Sequence, residues 1–251
     1  MKKLCYSFLA VCALLLAGCF ETTQEVTING DGSGLWINTT DMSSMMGMMK
    51  QFGGDDASKM PNMDTTISFS ALADSIADIT PQEKSLIKQG NMKLSVNLKN
   101  EVFLLKLNFP FQKSSDMATL KSVMPKVLDA ATKKLMNGAP MPAGMDNQEM
   151  PKMKTFDDFF DISITDHSIT KTLNKAKYDG AADDQFMKSM QQMASMGAPV
   201  TANYVFNLPR PATKTEGKGV KLSEDKKKVT LNLTSDDFFD NPSKFEYKIE
   251  Y

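Results

Sequence analysis

The stretch Glu25-Val26-Thr27-Ile28-Asn29-Gly30-Asp31-Gly32-Ser33-Gly34-Leu35-Trp36-Ile37-Asn38-Thr39 predicts a β-hairpin. Val26 and Ile28 alternate with polar neighbours, which is the pattern of a strand with one buried face, and Trp36 lies in the returning strand. The segment between the two strands is made of Asn, Asp, Ser and Gly, and these residues favour a tight turn. The same strand–turn–strand pattern occurs twice more in the chain.

The other predicted strands also come mostly in pairs. We expect a second hairpin between residues 92–98 and 102–111. A third is expected between 161–165 and 168–174, around the turn Asp166-His167. Single strands are expected at 64–70, 200–208, 220–222, 228–234 and 245–251. Helices are expected at 42–52, 71–79, 81–89 and 183–196, the third of them capped by Thr80 with Pro81 in its first turn.

Ser114 to Met136 is the clearest predicted helix. Its apolar residues recur at the helical period and form one stripe: Met117, Leu120, Met124, Val127, Leu128, Ala131 and Leu135. Pro125 lies inside the helix, so we expect a kink or a split near Ser122. Hairpins interleaved with helices, without regular strand–helix–strand alternation, indicate an α+β fold in which antiparallel sheets are covered on one face by amphipathic helices.

The amino-terminal segment has the features of an export signal. Lys2 and Lys3 precede an apolar run from Leu4 to Ala17, which is shorter than the roughly 20 residues that span a bilayer. The run closes with Leu16-Ala17-Gly18-Cys19, which resembles the lipobox of bacterial lipoproteins. That resemblance implies cleavage before Cys19 and fatty acylation of its sulfur and of the new amino terminus. Several acyl chains hold a protein on a membrane where one chain does not. An ordinary secretory signal with a coincidental cysteine is the alternative.

Cleavage would leave a chain without a free thiol. Cys5 and Cys12 belong to the signal and Cys19 is the acylation site, so the mature domain has no thiol for disulfides, thiolate metal sites or nucleophilic catalysis. Loss of Lys2 and Lys3 changes the formal net charge from −1 to −3. Because no basic patch stands out, nucleic acid is not expected as a partner.

The domain organisation follows from composition and pattern. We expect a signal peptide at 1–18, a tether at 19–25, an α+β region at 26–137, a linker rich in Pro, Gly and Met at 138–155, and a second α+β region at 156–251. The second region is either a separate domain or part of one domain with the first. This order of elements, with an Asp-Gly hairpin directly after a lipidated cysteine, resembles LppM-type lipoproteins and the uncharacterised lipoproteins of the Bacteroidetes type.

Two motifs have both a functional and a structural interpretation. Asp157-Asp158-Phe159-Phe160-Asp161 recurs as Asp236-Asp237-Phe238-Phe239-Asp240 and is similar to the DDxxD motif of isoprenoid synthases, which binds Mg²⁺ on a long helix. A strand pattern follows the first copy and Asn241-Pro242 follows the second. We therefore interpret both copies as turns at strand edges, in which Phe anchors the core and Asp caps the turn.

Other candidate motifs are incomplete. His167 is the single histidine, and we expect it in an exposed turn rather than in a metal site or a triad. Gly30 to Gly34 lacks the lysine of a phosphate-binding loop and the terminal carboxylates of an EF-hand. No pair of carboxylates has a spacing that indicates general acid–base catalysis. We therefore predict no catalytic residue, no metal ligand and no cofactor, and we expect a protein that is not an enzyme.

Methionine is the compositional anomaly, with 20 residues. They concentrate in three groups, at 42–63, 136–153 and 187–196. Thioethers are soft ligands that suit Cu(I) or Ag(I), but methionine is also a flexible filler of cores and of adaptable binding surfaces. The first group is apolar around much of a helix, so it is the candidate hydrophobic contact surface: Met42, Met45, Met46, Met48 and Met49.

These observations favour a membrane-anchored envelope lipoprotein whose domain is a non-catalytic binding module for a hydrophobic ligand, such as a lipid, or for an envelope protein. The alternative is a periplasmic Cu(I)- or Ag(I)-binding protein that uses the methionine groups. The outer membrane is favoured, because Phe20 follows the cysteine where an aspartate would retain a lipoprotein in the inner membrane. The ligand, the leaflet and the oligomeric state stay open at this point.

Overall fold

The structure, a computed structural model, describes residues 20–44, 62–97, 99–136, 155–195 and 199–251. The strands in these ranges are β1 Phe20–Ile28, β2 Gly34–Asp41, β3 Met63–Ser68, β4 Asn91–Asn97, β5 Val102–Phe111, β6 Phe160–Ile164, β7 Ser168–Leu173, β8 Val200–Asn207, β9 Lys214–Glu216, β10 Lys221–Leu222, β11 Lys228–Thr234 and β12 Tyr247–Glu250. The α-helices are α1 Phe69–Leu72, α2 Pro81–Lys88, α3 Asp116–Met136, α4 Lys175–Tyr178, α5 Gln185–Ser195 and α6 Ser235–Asp240. Short 3-10 helices lie at Phe156–Phe159, Ala181–Asp183 and Pro242–Phe245.

The strands form two sheets, and the predicted α+β class is confirmed. One sheet has eight strands in the order β10-β11-β8-β1-β2-β5-β4-β3, and the other has four in the order β6-β7-β12-β9. The expectation of purely antiparallel pairing is wrong at one place, because β1 and β8 run parallel, with Phe20 opposite Val200. Since β1 lies between β2 and β8, strands from both predicted α+β regions share one sheet.

All three predicted hairpins are confirmed. In the first, Val26 lies opposite Trp36, and the second and third pair β4 with β5 and β6 with β7. The prediction of a tether at 19–25 is wrong, because β1 begins at Phe20 and Gln24 is already buried. The turn signal in the sequence marks the first strand correctly but does not show where the strand starts.

Helix α3 covers the inner face of the eight-stranded sheet with the predicted stripe. Met117, Leu120 and Val127 are fully buried, Met124 and Ala131 are nearly so, and Leu128 is half-buried. The predicted split at Pro125 is wrong, because the helix runs without interruption over 21 residues. Pro125 itself is exposed. The stripe on the opposite side of the helix holds it against the sheet.

The remaining differences from the sequence predictions are local. The helix expected at 71–79 is the single turn α1, the strand expected at 64–70 ends at Ser68, and the short strand β9 was missed. The helix expected at 183–196 begins at Gln185. The helix predicted at 42–52, beyond Ser44, and the linker predicted at 138–155, up to residue 154, lie outside the described residues.

The second sheet packs on the part of the core that β8 and β11 supply. Phe206 on β8 contacts Tyr247 on β12 with ring centroids 5.4 Å apart, and Phe238 and Phe245 join the same cluster at 5.7 Å. In the first half of the chain, Phe109 packs between Phe69 and Trp36. Among the described helices, none has the length and apolarity required to cross a bilayer.

We expect Gly34→Ala to destabilise the fold by about 1–3 kcal/mol, the usual effect of overpacking a well-filled site. A Cβ at Gly34 would lie 2.0 Å from the Thr27 carbonyl oxygen and 2.4 Å from Cζ of Phe111. The backbone atom cannot move without disturbing the pairing of β1 with β2. Urea denaturation at neutral pH measures the difference in the free energy of unfolding.

The matched control is Gly30→Ala in the same hairpin. A Cβ at Gly30 has no neighbour within 4 Å, so this variant should unfold at the wild-type urea concentration. Equal destabilisation by both substitutions would contradict the close approach at Gly34.

Candidate functional site

The two Asp-Asp-Phe-Phe-Asp segments have equivalent local structure. The backbone N–H of Thr155 donates to Asp158 at 2.6 Å, and that of Thr234 donates to Asp237 at 3.1 Å. Each carboxylate therefore caps a short helical turn, and a phenylalanine that follows, Phe159 or Phe238, is buried. The structural interpretation of the repeat is confirmed.

The first aspartate of the first segment has a different environment. Asp157 lies in the 3-10 helix directly before β6, and its side chain is 13% exposed. Its Oδ1 accepts from the Lys171 ammonium at 2.5 Å and from the Tyr204 hydroxyl at 2.9 Å. Its Oδ2 accepts from the Lys121 ammonium at 2.8 Å and from the Gln24 amide at 3.0 Å. The carboxylate thus receives four hydrogen bonds from four separate elements.

Lys171 is the most deeply buried charged group of this cluster. Its side chain is 0% exposed, and its ammonium lies 4.4 Å from the ring centroid of Tyr204, 4.5 Å from that of Phe160 and 5.2 Å from that of Phe245. Aromatic faces stabilise a desolvated cation. Burial lowers the pKa of Lys171 to about 8, although the Asp157 carboxylate opposes that shift.

The two lysines determine the ionisation of Asp157. Burial by itself would raise the pKa of the Asp157 carboxyl, but the charges of Lys121 and Lys171 outweigh burial and hold this pKa well below its usual 3.8. Burial and the nearby Asp157 carboxylate raise the pKa of Tyr204 well above 10.0, so its hydroxyl stays protonated. The cluster therefore contains two cations and one anion at neutral pH.

A cleft of about 320 Å³ opens beside this cluster, between α3, the first hairpin and β6. Its apolar lining residues include Met124, Leu128, Phe160 and Ile162. Its polar lining residues include Gln24, Asn38, Lys121 and Asp157. Lys177 and Asp161, which form an exposed ion pair at 3.1 Å, lie at the rim.

Trp36 also lines the cleft, and its indole nitrogen is unusual. The side chain is 2% exposed, and among the described residues no acceptor binds its Nε1–H. The Lys121 ammonium lies 5.7 Å from the ring centroid. A buried N–H without a partner is unfavourable by about 1–3 kcal/mol, and this nitrogen atom is itself buried.

None of the other predicted site residues that the structure describes lines this cleft. Cys19, Met45, Met46, Met48 and Met49 lie outside the described residues, and Met42 is half-buried directly after β2. In the third methionine group, Met187 and Met190 are buried in the core. His167 is exposed in its turn, as predicted, with Nδ1 2.8 Å from the guanidinium of Arg210. Within the described part of the chain, no group of three or more His, Cys, Asp or Glu side chains could hold a metal ion.

The sequence analysis missed the cleft and the charge cluster. One signal was available, because Lys171 lies between Ile169 and Leu173 on the alternating positions of β7 that point inward. A lysine on the buried face of a strand requires a carboxylate partner. The local sequence did not identify Asp157 as that partner. The equivalent aspartate of the second segment, Asp236, is followed by the same residues in sequence but is exposed.

Comparison with known proteins leaves the family undetermined. No protein-family model matches the chain, and no curated protein matches its sequence. Among solved structures, the chain is similar to the NMR structure of the folded domain of LppM from Mycobacterium tuberculosis, with 10% sequence identity, 93% of this chain and 91% of that chain covered, and a TM-score of 0.36. The order of elements in the sequence resembles the same class of lipoprotein. An identity of 10% and a TM-score of 0.36 do not establish a shared architecture, ligand or partner.

We expect Asp157→Asn to destabilise the protein by about 3–5 kcal/mol, the usual result of removing one partner from a buried ion pair. The variant leaves the ammonium groups of Lys121 and Lys171 without an anion between them. Urea denaturation at pH 7 gives the change in the free energy of unfolding. Asp161→Asn is the matched control, because Asp161 also binds a lysine but is exposed, and it should leave the midpoint unchanged.

The pH dependence of the free energy of unfolding of the same two variants tests whether Asp157 is ionised in the folded protein. Because the folded-state pKa of Asp157 is depressed, its stabilisation is complete above the ordinary value of 3.8 and is lost as the pH falls towards the folded value. Wild type and Asp161→Asn should therefore lose stability below pH 3.8 more steeply than Asp157→Asn. Parallel acid profiles for all three proteins would contradict an ionised Asp157 in the core.

Proposed function

We propose that this protein is a lipid-anchored protein of the bacterial envelope whose α+β domain binds a hydrophobic ligand in the cleft between α3 and β6. The observation that carries the proposal is the lining of the cleft, which combines apolar side chains with hydrogen-bonding groups. The volume of about 320 Å³ lies at the lower end of the range for small-molecule sites.

The lining determines how such a ligand would bind. An acyl chain or another apolar group would pack along Met124, Leu128 and Ile162, removing its surface from water. A polar group at its end would meet Gln24 and Lys121. Because both of these side chains carry N–H donors, they favour a ligand that has a hydrogen-bond acceptor, such as an ester or a hydroxyl group. A lipid or a lipid-like amphiphile has both features.

Ala118 offers a way to fill the cleft without removing any of its polar groups. It is exposed on α3 and lines the cleft, so Ala118→Trp should place an indole in the volume that the ligand would use. The neutral fluorescent probe N-phenylnaphthylamine should bind the wild type saturably, and the variant should bind it at least about tenfold more weakly, which corresponds to about 1.4 kcal/mol.

Ala71→Trp is the control for an added surface tryptophan. Ala71 is exposed on α1 and is not a lining residue of the cleft, so its variant should bind the probe as the wild type does. Absence of saturable binding to the wild type, or equal affinities for the two variants, would remove the cleft as the ligand site.

The lipid anchor has its own test. Cys19→Ser should abolish incorporation of labelled palmitate and release the protein from the membrane fraction, because the sulfur that would form the thioether is absent. Cys12→Ser, within the signal segment, is the matched control and should leave both properties unchanged. A Cys19→Ser protein that stays with the membranes would refute anchoring through this residue.

A further inference from the structure

The distance between the proposed anchor and the folded domain is short. Cys19 immediately precedes Phe20, the first residue of β1, and consecutive Cα atoms are about 3.8 Å apart. β1 is an interior strand, hydrogen-bonded to β2 on one side and to β8 on the other. An acylated sulfur at Cys19 therefore holds this end of the eight-stranded sheet close to the bilayer, without a flexible spacer between them.

The end of the sheet next to Cys19 carries a row of apolar side chains. On one side of the row, Phe20 on β1 lies opposite Val200 on β8. On the other side, Val96 on β4 lies between Phe103 on β5 and Met63 on β3 and is opposite both of them. The Met42 N–H donates to the Phe103 carbonyl at 2.9 Å and joins the two parts. Met42 follows Asp41, which lies opposite Glu21. In order across the sheet, the row is Val200, Phe20, Met42, Phe103, Val96 and Met63.

Part of this row is less covered than the core behind it. Phe20, Met42, Phe103 and Met63 are half-buried, while Val200 and Val96 are buried. Further along the same face, Trp36, Phe109 and Met92 are at most 3% exposed. We propose that the sheet end with this row contacts the bilayer, so that the strands point away from the membrane and the lipid surface is the partner of this face. The proposal rests on the lipid anchor of the proposed function.

The opposite end of the sheet has a different character. The polar turn at 29–33, Lys113 and the exposed pair His167 and Arg210 are located there. Leu222, which is 40% exposed, lies towards this end as a single apolar side chain rather than as part of a row. The row of apolar side chains thus distinguishes the end near Cys19.

At the end near Cys19, the carboxylates of Glu21, Asp41 and Asp64 lie beside the row. Lys93 pairs with Asp64 at 3.1 Å, and Lys99 is exposed in the β4–β5 turn. Because charges of both signs lie there, the contact should not require anionic lipid and should form on zwitterionic vesicles.

Site-directed spin labelling tests the orientation. The acylated chain has no cysteine besides Cys19, so one introduced cysteine gives one labelled position. Asn62→Cys lies directly before β3, four strands away from β1, which is about 19 Å at the usual strand spacing. Gln89→Cys is the matched control, because Gln89 is also an exposed amide and lies at the other end of the β3–β4 pair.

Lipidated protein is purified from membranes, reconstituted into phosphatidylcholine vesicles and probed with oxygen, which concentrates in the bilayer, and with a water-soluble nickel chelate. The label at Asn62→Cys should show a higher ratio of oxygen to nickel collisions than the label at Gln89→Cys. Lys99→Cys, in the exposed β4–β5 turn at the same end as Asn62, should behave like Asn62→Cys and provides a second probe if that variant does not fold.

Mass spectrometry of the same preparation distinguishes two failures. An unmodified Cys19 would refute the lipid anchor and, with it, the orientation. Acylated protein in which the labels at 62, 89 and 99 are equally accessible to nickel would overturn the orientation alone and leave the anchor in place.

Discussion

The carboxylate of Asp157 is the interaction on which the packing of the two sheets depends. It joins Lys121 on α3, Gln24 on β1, Lys171 on β7 and Tyr204 on β8. Desolvating three charges is unfavourable by several kcal/mol for each ion. Hydrogen bonds at every acceptor position and the aromatic faces around Lys171 offset that penalty. Because each donor comes from a different element, the cluster fixes the position of α3 relative to both sheets.

The cleft follows from this arrangement. Helix α3 approaches both β5 of the first sheet and β6 of the second, and Lys121 on this helix reaches Asp157. Met124 and Leu128, one and two turns further along α3, line the cleft that is left between these elements. Trp36 is buried beside the cleft, and no acceptor among the described residues binds its Nε1–H.

The position of β1 determines how closely the proposed anchor is joined to the rest of the molecule. A strand at the edge of a sheet could detach and act as a tether, but β1 has partners along both sides. Lipidation of Cys19, as proposed, would join the lipid directly to the core, and the proposed orientation would bring the row from Val200 to Met63 to the lipid surface. Met42, the described member of the predicted contact surface, lies in this row. The sequence-based emphasis on the first methionine group and the geometry of the sheet end therefore point to the same region.

Local pattern determined a large part of this fold from the sequence alone. The period of two predicted the three hairpins, the period of 3.6 predicted α3 with its buried face, and Thr80 followed by Pro81 predicted the capped start of α2. The parallel pairing of β1 with β8 and the Asp157 cluster were decided by the tertiary structure. Their partners lie far apart in the chain, 133 residues in the case of Gln24 and Asp157. Periodicity within a segment reports which face is buried, but it does not report what that face meets, and identical local sequences such as the two Asp-Asp-Phe-Phe-Asp segments can place one aspartate in the core and the other in water.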